Sequence, residues 1–192
     1  MNNTMSSGSN VSLSLKEKFI ESAKEIKKTK SLTGVAMLIA MNVVLSFTSI
    51  NLSETQRISI SFIVTAIIGM MYGPVTTAFA SGVGDLIRYL VKPMGGFFPG
   101  FTITAILEGM VFGMFFYKEK CTLPRVILAK TTVSVLLNCC LNTLWLSIMQ
   151  GVPFYALFVA RAIKNLTLLP IEIVLLYVVL KGMSKLIEKI KS

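Results

Sequence analysis

Between Phe154 and Leu180 the chain runs "FYALFVARAIKNLTLLPIEIVLLYVVL", an apolar stretch that contains Arg161, Lys164 and Glu172. A charge near the centre of a bilayer costs roughly 2.5–3.5 kcal/mol for Arg, Lys or Asp. Such residues need a partner, which is either another side chain or a bound molecule. Arg161 and Lys164 suit an anion, because a guanidinium grips a carboxylate through two bonds. Other apolar runs carry their own polar residues: Asp85 and Arg88, then Glu108, then Asn142 and Trp145, with Asn165 beside Lys164. The segment "KPMGGFFPG" adds Phe97 and Phe98 just ahead of Phe101. Aromatic faces with a few convergent polar groups are what a small-molecule site requires.

Those residues must be positioned by membrane helices. Hydrophobic residues make up 54% of the 192, and the mean hydropathy is +0.73. Soluble domains reach only roughly 45–50% even with Gly counted. The apolar runs are continuous rather than alternating, which excludes an outer-membrane barrel. Six spans are expected, at about 32–50, 58–72, 74–91, 99–117, 125–149 and 154–180. The turn "MYGP" separates the second from the third. Several fall short of the ~20 residues of an upright span.

The net charge of +10 is not a nucleic-acid signature, because its distribution follows the spans. Six lysines precede the first span, Lys118, Lys120 and Arg125 lie between the fourth and fifth, and four lysines follow the last. The opposite loops hold only Arg57, Arg88 and Lys92. The bias places both termini in the cytoplasm. Residues 1–12 read as a disordered tail and 13–30 as an amphipathic cytoplasmic helix. Residues 31–182 form the six-helix transmembrane domain, and 183–192 a basic cytoplasmic tail.

Depth and face decide whether scattered polar residues share a site. At about 1.5 Å per residue, Asp85, Glu108, Asn142, Trp145, Arg161 and Lys164 lie about 7–16 Å below the outer surface. Arg161, Lys164, Asn165, Leu168 and Glu172 form one stripe at i, i+3, i+4, i+7 and i+11. Asn138, Asn142 and Trp145 form another, as do Ser81, Asp85 and Arg88, and Thr104 with Glu108. Lipid satisfies none of these, so the stripes should turn inward around an outward-open pocket. The competing reading is interhelical glue, pairing Glu108 with Arg161 or Lys164, Lys130 with Glu172, and Asp85 with Arg88. Glu172 lies about 16 Å deeper than Arg161, which favours a structural role beside Lys130.

Other chemistries are poorly supported. There is no His, no CxxC and no phosphate-binding GxxxxGK[ST] loop. A metal site, a disulfide framework and autonomous ATP hydrolysis are therefore not expected, and no cofactor is. No cleavable signal peptide is visible. Asp85 or Glu108 as an intramembrane acid or base is the enzyme alternative. In "AMLIA", Ala36 and Ala40 stand four apart, a spacing that admits close helix approach.

Together these features resemble the substrate-binding S component of an energy-coupling factor (ECF) vitamin transporter, over residues 31–182. The likeness rests on six spans, the Ala-x-x-x-Ala of the first, "YGPVTTAFASGVGDLIRYL" and "GGFFPGFTITAILEGMVFG". Within the folate branch the third span has a similar Gly-Pro start and an Asp, here Asp85. The fourth has a similar Pro-Gly-Phe-Thr start, here with Phe101 and Thr102. Thr143, Trp145, Arg161 and Lys164 match that branch's Thr-x-Trp and its Arg followed by Lys.

The resemblance implies a bacterial plasma-membrane protein that is not an enzyme. It would capture a vitamin from outside and dock on a membrane coupling protein driven by two ATPase subunits. It would topple to release its cargo, with Ala36 and Ala40 facing the coupling protein. A folate fits the residues: its flat ring suits Trp145 or Phe98, and Arg161 suits either its carboxylates or a hydrogen bond to that ring. The expected binding set is Asp85, Arg88, Phe98, Phe101, Thr102, Glu108, Asn142, Trp145, Arg161, Lys164 and Asn165. Pantothenate or a thiamine-related pyrimidine remain as alternative cargoes, although a cationic pyrimidine suits Arg161 and Lys164 poorly.

Overall fold

The computed structural model describes residues 14–47, 50–53, 56–58, 60–91, 93 and 96–191. The expected tail, residues 1–12, lies outside them. Apart from one short ribbon the fold is helical. Helix α1 covers Leu15–Glu25 and α2 Thr29–Phe47. Strands β1 (Ile50–Ser53) and β2 (Gln56–Ile58) then pair antiparallel, Ile50 opposite Ile58. The sequence "NLSETQR" predicts only a loop there.

Helix α3 is assigned continuously over Ser61–Val91, but Gly73 has φ 82° and ψ −178°. Only glycine adopts that conformation without strain, and Pro74 follows with no N–H to contribute. The chain folds back at this point. Val64 and Ile68 of the first arm share a core cluster with Ala80 of the second and Val35 of α2. Helix α4 (Pro99–Phe116) packs against both arms.

The next span is composite: α5 (Leu123–Thr132), a π-helical segment (Val133–Leu141) and α6 (Asn142–Gln150). Within it the Asn142 N–H donates to the Leu137 carbonyl five residues back. Helix α7 runs from Phe154 to Lys191, through Pro170 and through the segment expected as a tail. Five of these helical stretches are long and apolar enough to cross a membrane, with α3 contributing its folded pair of arms as one. Large apolar side chains point outward, including Val44, Leu166, Val174 and Val178, as lipid contact requires.

The main core lies towards one end of the bundle. There Phe112 and Phe116 stack, and Val126, Val133, Leu176 and Leu180 close around them. Helix α1 is tied beneath the α3 bend. The Ser22 hydroxyl donates to the Tyr72 carbonyl at 2.7 Å, and the Thr76 hydroxyl to the Ser22 carbonyl at 2.9 Å. Lys18 turns inward, donating to the Met114 carbonyl and to Glu119 at 2.8 Å, and Arg125 reaches Glu119 at 2.7 Å. The helical spacing of Leu15, Phe19, Ala23 and Ile26 predicts the lysines on the opposite, solvent-facing side. Lys18 departs because the last turn of α4 offers it the Met114 carbonyl and the α4–α5 connection offers it Glu119.

Candidate functional site

Towards the opposite end α2, α3, α4, the composite span and α7 surround a cavity of about 790 Å³. That lies within the range of roughly 300–1,000 Å³ typical of small-molecule sites. Helix α7 supplies Arg161, Lys164, Asn165, Leu168 and Glu172, the complete stripe read from its sequence. The second arm of α3 supplies Ser81, Asp85 and Arg88, and α4 supplies Phe101 and Glu108. Asn138 and Asn142 come from the π segment and α6. Phe97 and Phe98 stand at the mouth, beside Tyr89.

Two expected binding residues stand one layer back. Thr102 donates its hydroxyl to Asp85 at 2.9 Å and so orients that carboxylate. Trp145 packs against Phe98, ring centroids 5.6 Å apart, and its Nε1–H donates to the Thr104 hydroxyl at 3.2 Å. The tight fit explains Gly100: a Cβ there would stand 2.5 Å from Trp145 Cδ2. Trp145 therefore supports Phe98, and it is Phe98 that offers an aromatic face to the cavity.

The charged lining is partly self-paired. Arg88 meets Asp85 at 3.1 Å, and Lys130 meets Glu172 at 3.2 Å. Both pairs were among the glue alternatives. Glu108 makes no ion pair among the described residues, so the remaining glue pairing is absent there. Arg161 Nη1 reaches the Asn138 carbonyl at 3.5 Å, and Asn142 donates to Asn138 Oδ1 at 3.0 Å. Buried polar atoms remain beside the cavity with no hydrogen-bond partner among the described residues: Ser81 Oγ, Arg88 Nε and Asn142 Oδ1. Buried polar groups are nearly always bonded, so these atoms call for partners that an ordered water or a bound molecule can supply.

The cavity also takes in residues outside the expected set. Asn42 and Thr65, bonded to each other at 3.1 Å, line it from α2 and the first arm of α3. They are polar residues inside apolar runs, a signal present in the sequence but weaker than a charge. Lys130 and Glu172, read as structural, also reach the lining. On the outer surface, Ala36 and Ala40 of α2 are both exposed beside Met37. No group of three or more His, Cys, Asp or Glu suited to a metal occurs among the described residues.

Comparison with known proteins matches this architecture. Residues 30–187 fit the family model "ECF transporter, substrate-specific component". The chain is 34% identical over 167 residues to the folate transporter FolT of Clostridium novyi, covering 86% of this chain and 94% of that one. It is 30% identical to FolT of Leuconostoc mesenteroides, covering 80% and 86%. Among solved structures, that of FolT bound with folic acid superposes with a TM-score of 0.74 at 40% identity, covering 78% of this chain and 92% of that one. The family comprises the substrate-specific parts of transporters and is not an enzyme family. The chain belongs to the substrate-specific (S) components of ECF transporters, multi-pass proteins of the bacterial plasma membrane.

Proposed function

We propose that this chain captures folate from outside the cell and passes it inward as the substrate-binding subunit of an ECF-type ABC importer. The cavity of about 790 Å³ carries this reading, because Ser81 Oγ, Arg88 Nε and Asn142 Oδ1 beside it lack hydrogen-bond partners among the described residues. The folate assignment is supported by relatives named as folate transporters and by a neighbour solved with folic acid. Arg161 and Lys164 would hold ligand carboxylates, with Asn165 beside them, and Phe98 and Phe101 would stack on the flat ring. Asp85, Arg88, Glu108 and Asn142 would supply hydrogen bonds, with Thr102 and Trp145 holding Asp85 and Phe98 in place.

In the membrane the chain would cross six times, the α3 arms counting separately, with both termini cytoplasmic. Residues 31–182 form the transmembrane domain, α1 lies at the cytoplasmic surface within 13–30, and 183–192 is the basic end. The exposed Ala36 and Ala40 would meet the transmembrane coupling protein, which two ATPase subunits drive.

Folic acid at 100 times its Kd should stabilise the purified protein by about 2.7 kcal/mol, visible as a rise in Tm. Pantothenate and a thiamine-related pyrimidine should leave Tm unchanged. A shift with either of these and none with folic acid would overturn the folate assignment. Ala36→Trp with Ala40→Trp should preserve folate binding and abolish uptake by cells that express the whole transporter. Normal uptake would remove that face from the coupling interface.

A further inference from the structure

The ion pair between Lys130 and Glu172 sits in the cavity lining although the sequence assigns it to structure. Its two members are not equivalent. The Lys130 side chain is 3% exposed and that of Glu172 is 20% exposed. Lys130 also lies over the Phe62 ring, 3.6 Å from its centroid, so its ammonium is enclosed by an acid and an aromatic face. Both line the cavity, and Glu172 is the more exposed member and the one that carries oxygen acceptors.

Helix geometry explains how Lys130 comes to stand there. An α-helix turns about 100° per residue, so Asn138 would lie about 80° and Asn142 about 120° around the helix from Lys130. Yet all three line one cavity. Lys130 and Asn142 flank the π-helical segment Val133–Leu141, which contains Asn138 and whose hydrogen bonds span five residues. A π turn holds more residues than an α turn, which cancels the drift of residues spaced by four. The segment therefore acts as one extra residue inserted into the span. It turns Lys130 inward while keeping Asn138 and Asn142 in place.

We propose that Glu172 is a further ligand-binding residue that accepts hydrogen bonds from N–H groups of the ligand. Lys130 is its positioning residue, and the π segment sets the register that brings Lys130 to it. This rests on the reading of the cavity as the folate site.

The test uses the full-length purified chain and folic acid, with Kd from titration and Tm of the unliganded protein as the check on folding. Glu172→Gln and Lys130→Met should each weaken binding by about tenfold or more, the effect of losing a bond to a charged group. Lys130→Arg should restore most of it. Deleting Leu136, whose side chain is exposed, makes the spacing from Lys130 to Asn138 and Asn142 seven and eleven residues. In a plain α-helix both then lie within about 20° of Lys130, so this deletion should bind within about threefold of the unaltered chain. Deleting Val135 and Leu136 together rotates Lys130 by about a further 100° and should bind as poorly as Lys130→Met. Unchanged affinity in Glu172→Gln or Lys130→Met overturns the proposal, as does equal loss in the single and double deletions. Absence of folic acid binding by the unaltered chain instead overturns the folate reading, and this one with it.

Discussion

Two polar regions sit at opposite ends of the bundle and are built from the same residue types. At the α1 end, Lys18, Glu119 and Arg125 form a closed network, Lys118 pairs with Glu21, and Glu25 takes Lys28 and Ser31. At the cavity end, Asp85 and Arg88 also pair, yet Arg88 Nε, Ser81 Oγ and Asn142 Oδ1 lack partners among the described residues, around an open volume. The difference is saturation. A network that satisfies its own groups holds helices together and excludes other molecules. One that leaves groups unsatisfied beside a cavity stores affinity for whatever completes it.

That contrast can be broken by mutation. Arg161→Ala should weaken folate binding by at least about 100-fold, or about 2.7 kcal/mol, with little change in unliganded Tm. Titration calorimetry checks it, and near-normal affinity would move Arg161 from the site to the scaffold. Lys18→Met should do the reverse. It leaves Glu119 without one of its two cations, which should destabilise the docked α1 by about 1–3 kcal/mol and leave Kd unchanged. A matching loss of affinity would mean that the two ends are not separate. Trp145→Ala removes the support behind Phe98 and should weaken binding by about tenfold, about 1.4 kcal/mol. Trp145→Phe should recover part of that loss.

The smallest effect is one of pH. Burial pushes the Glu119 carboxyl up, but hydrogen bonds from Lys18 and Arg125 outweigh it and hold the carboxyl below its ordinary 4.5. A depressed acid contributes its full stability above its unfolded value and loses it as pH falls through its folded value. Melting measured from pH 6 downward should therefore show α1 stability falling only below about 4.5, the ordinary value. Glu119→Gln should flatten that dependence. An identical decline in the variant would assign it to other carboxylates.

Much of this was legible from residue order. The α7 stripe follows from helical spacing alone, and all five of its members line the cavity, because an α-helix keeps residues at this spacing on one face. The same logic failed in the next-to-last span. Asn138, Asn142 and Trp145 share an ideal helical face, but Trp145 packs behind Phe98 while Lys130 comes into the lining. A π segment leaves no reliable composition signal, since it depends on which carbonyl each N–H finds. The inward turn of Lys18 was equally invisible, because its partners lie 96 and 101 residues away.

The sequence by itself determined that the protein crosses membranes and that the polar residues of α7 share one face. Hydropathy, charge bias and helical period are local properties. Tertiary structure decided which polar groups satisfy one another and which face open space. It placed Glu172 in the cavity lining, set Trp145 behind Phe98 and turned Lys18 in against Met114 and Glu119. Those outcomes depend on distances between helices remote in sequence, and hydrogen-bond saturation is a property of the packed molecule, not of the order of its residues.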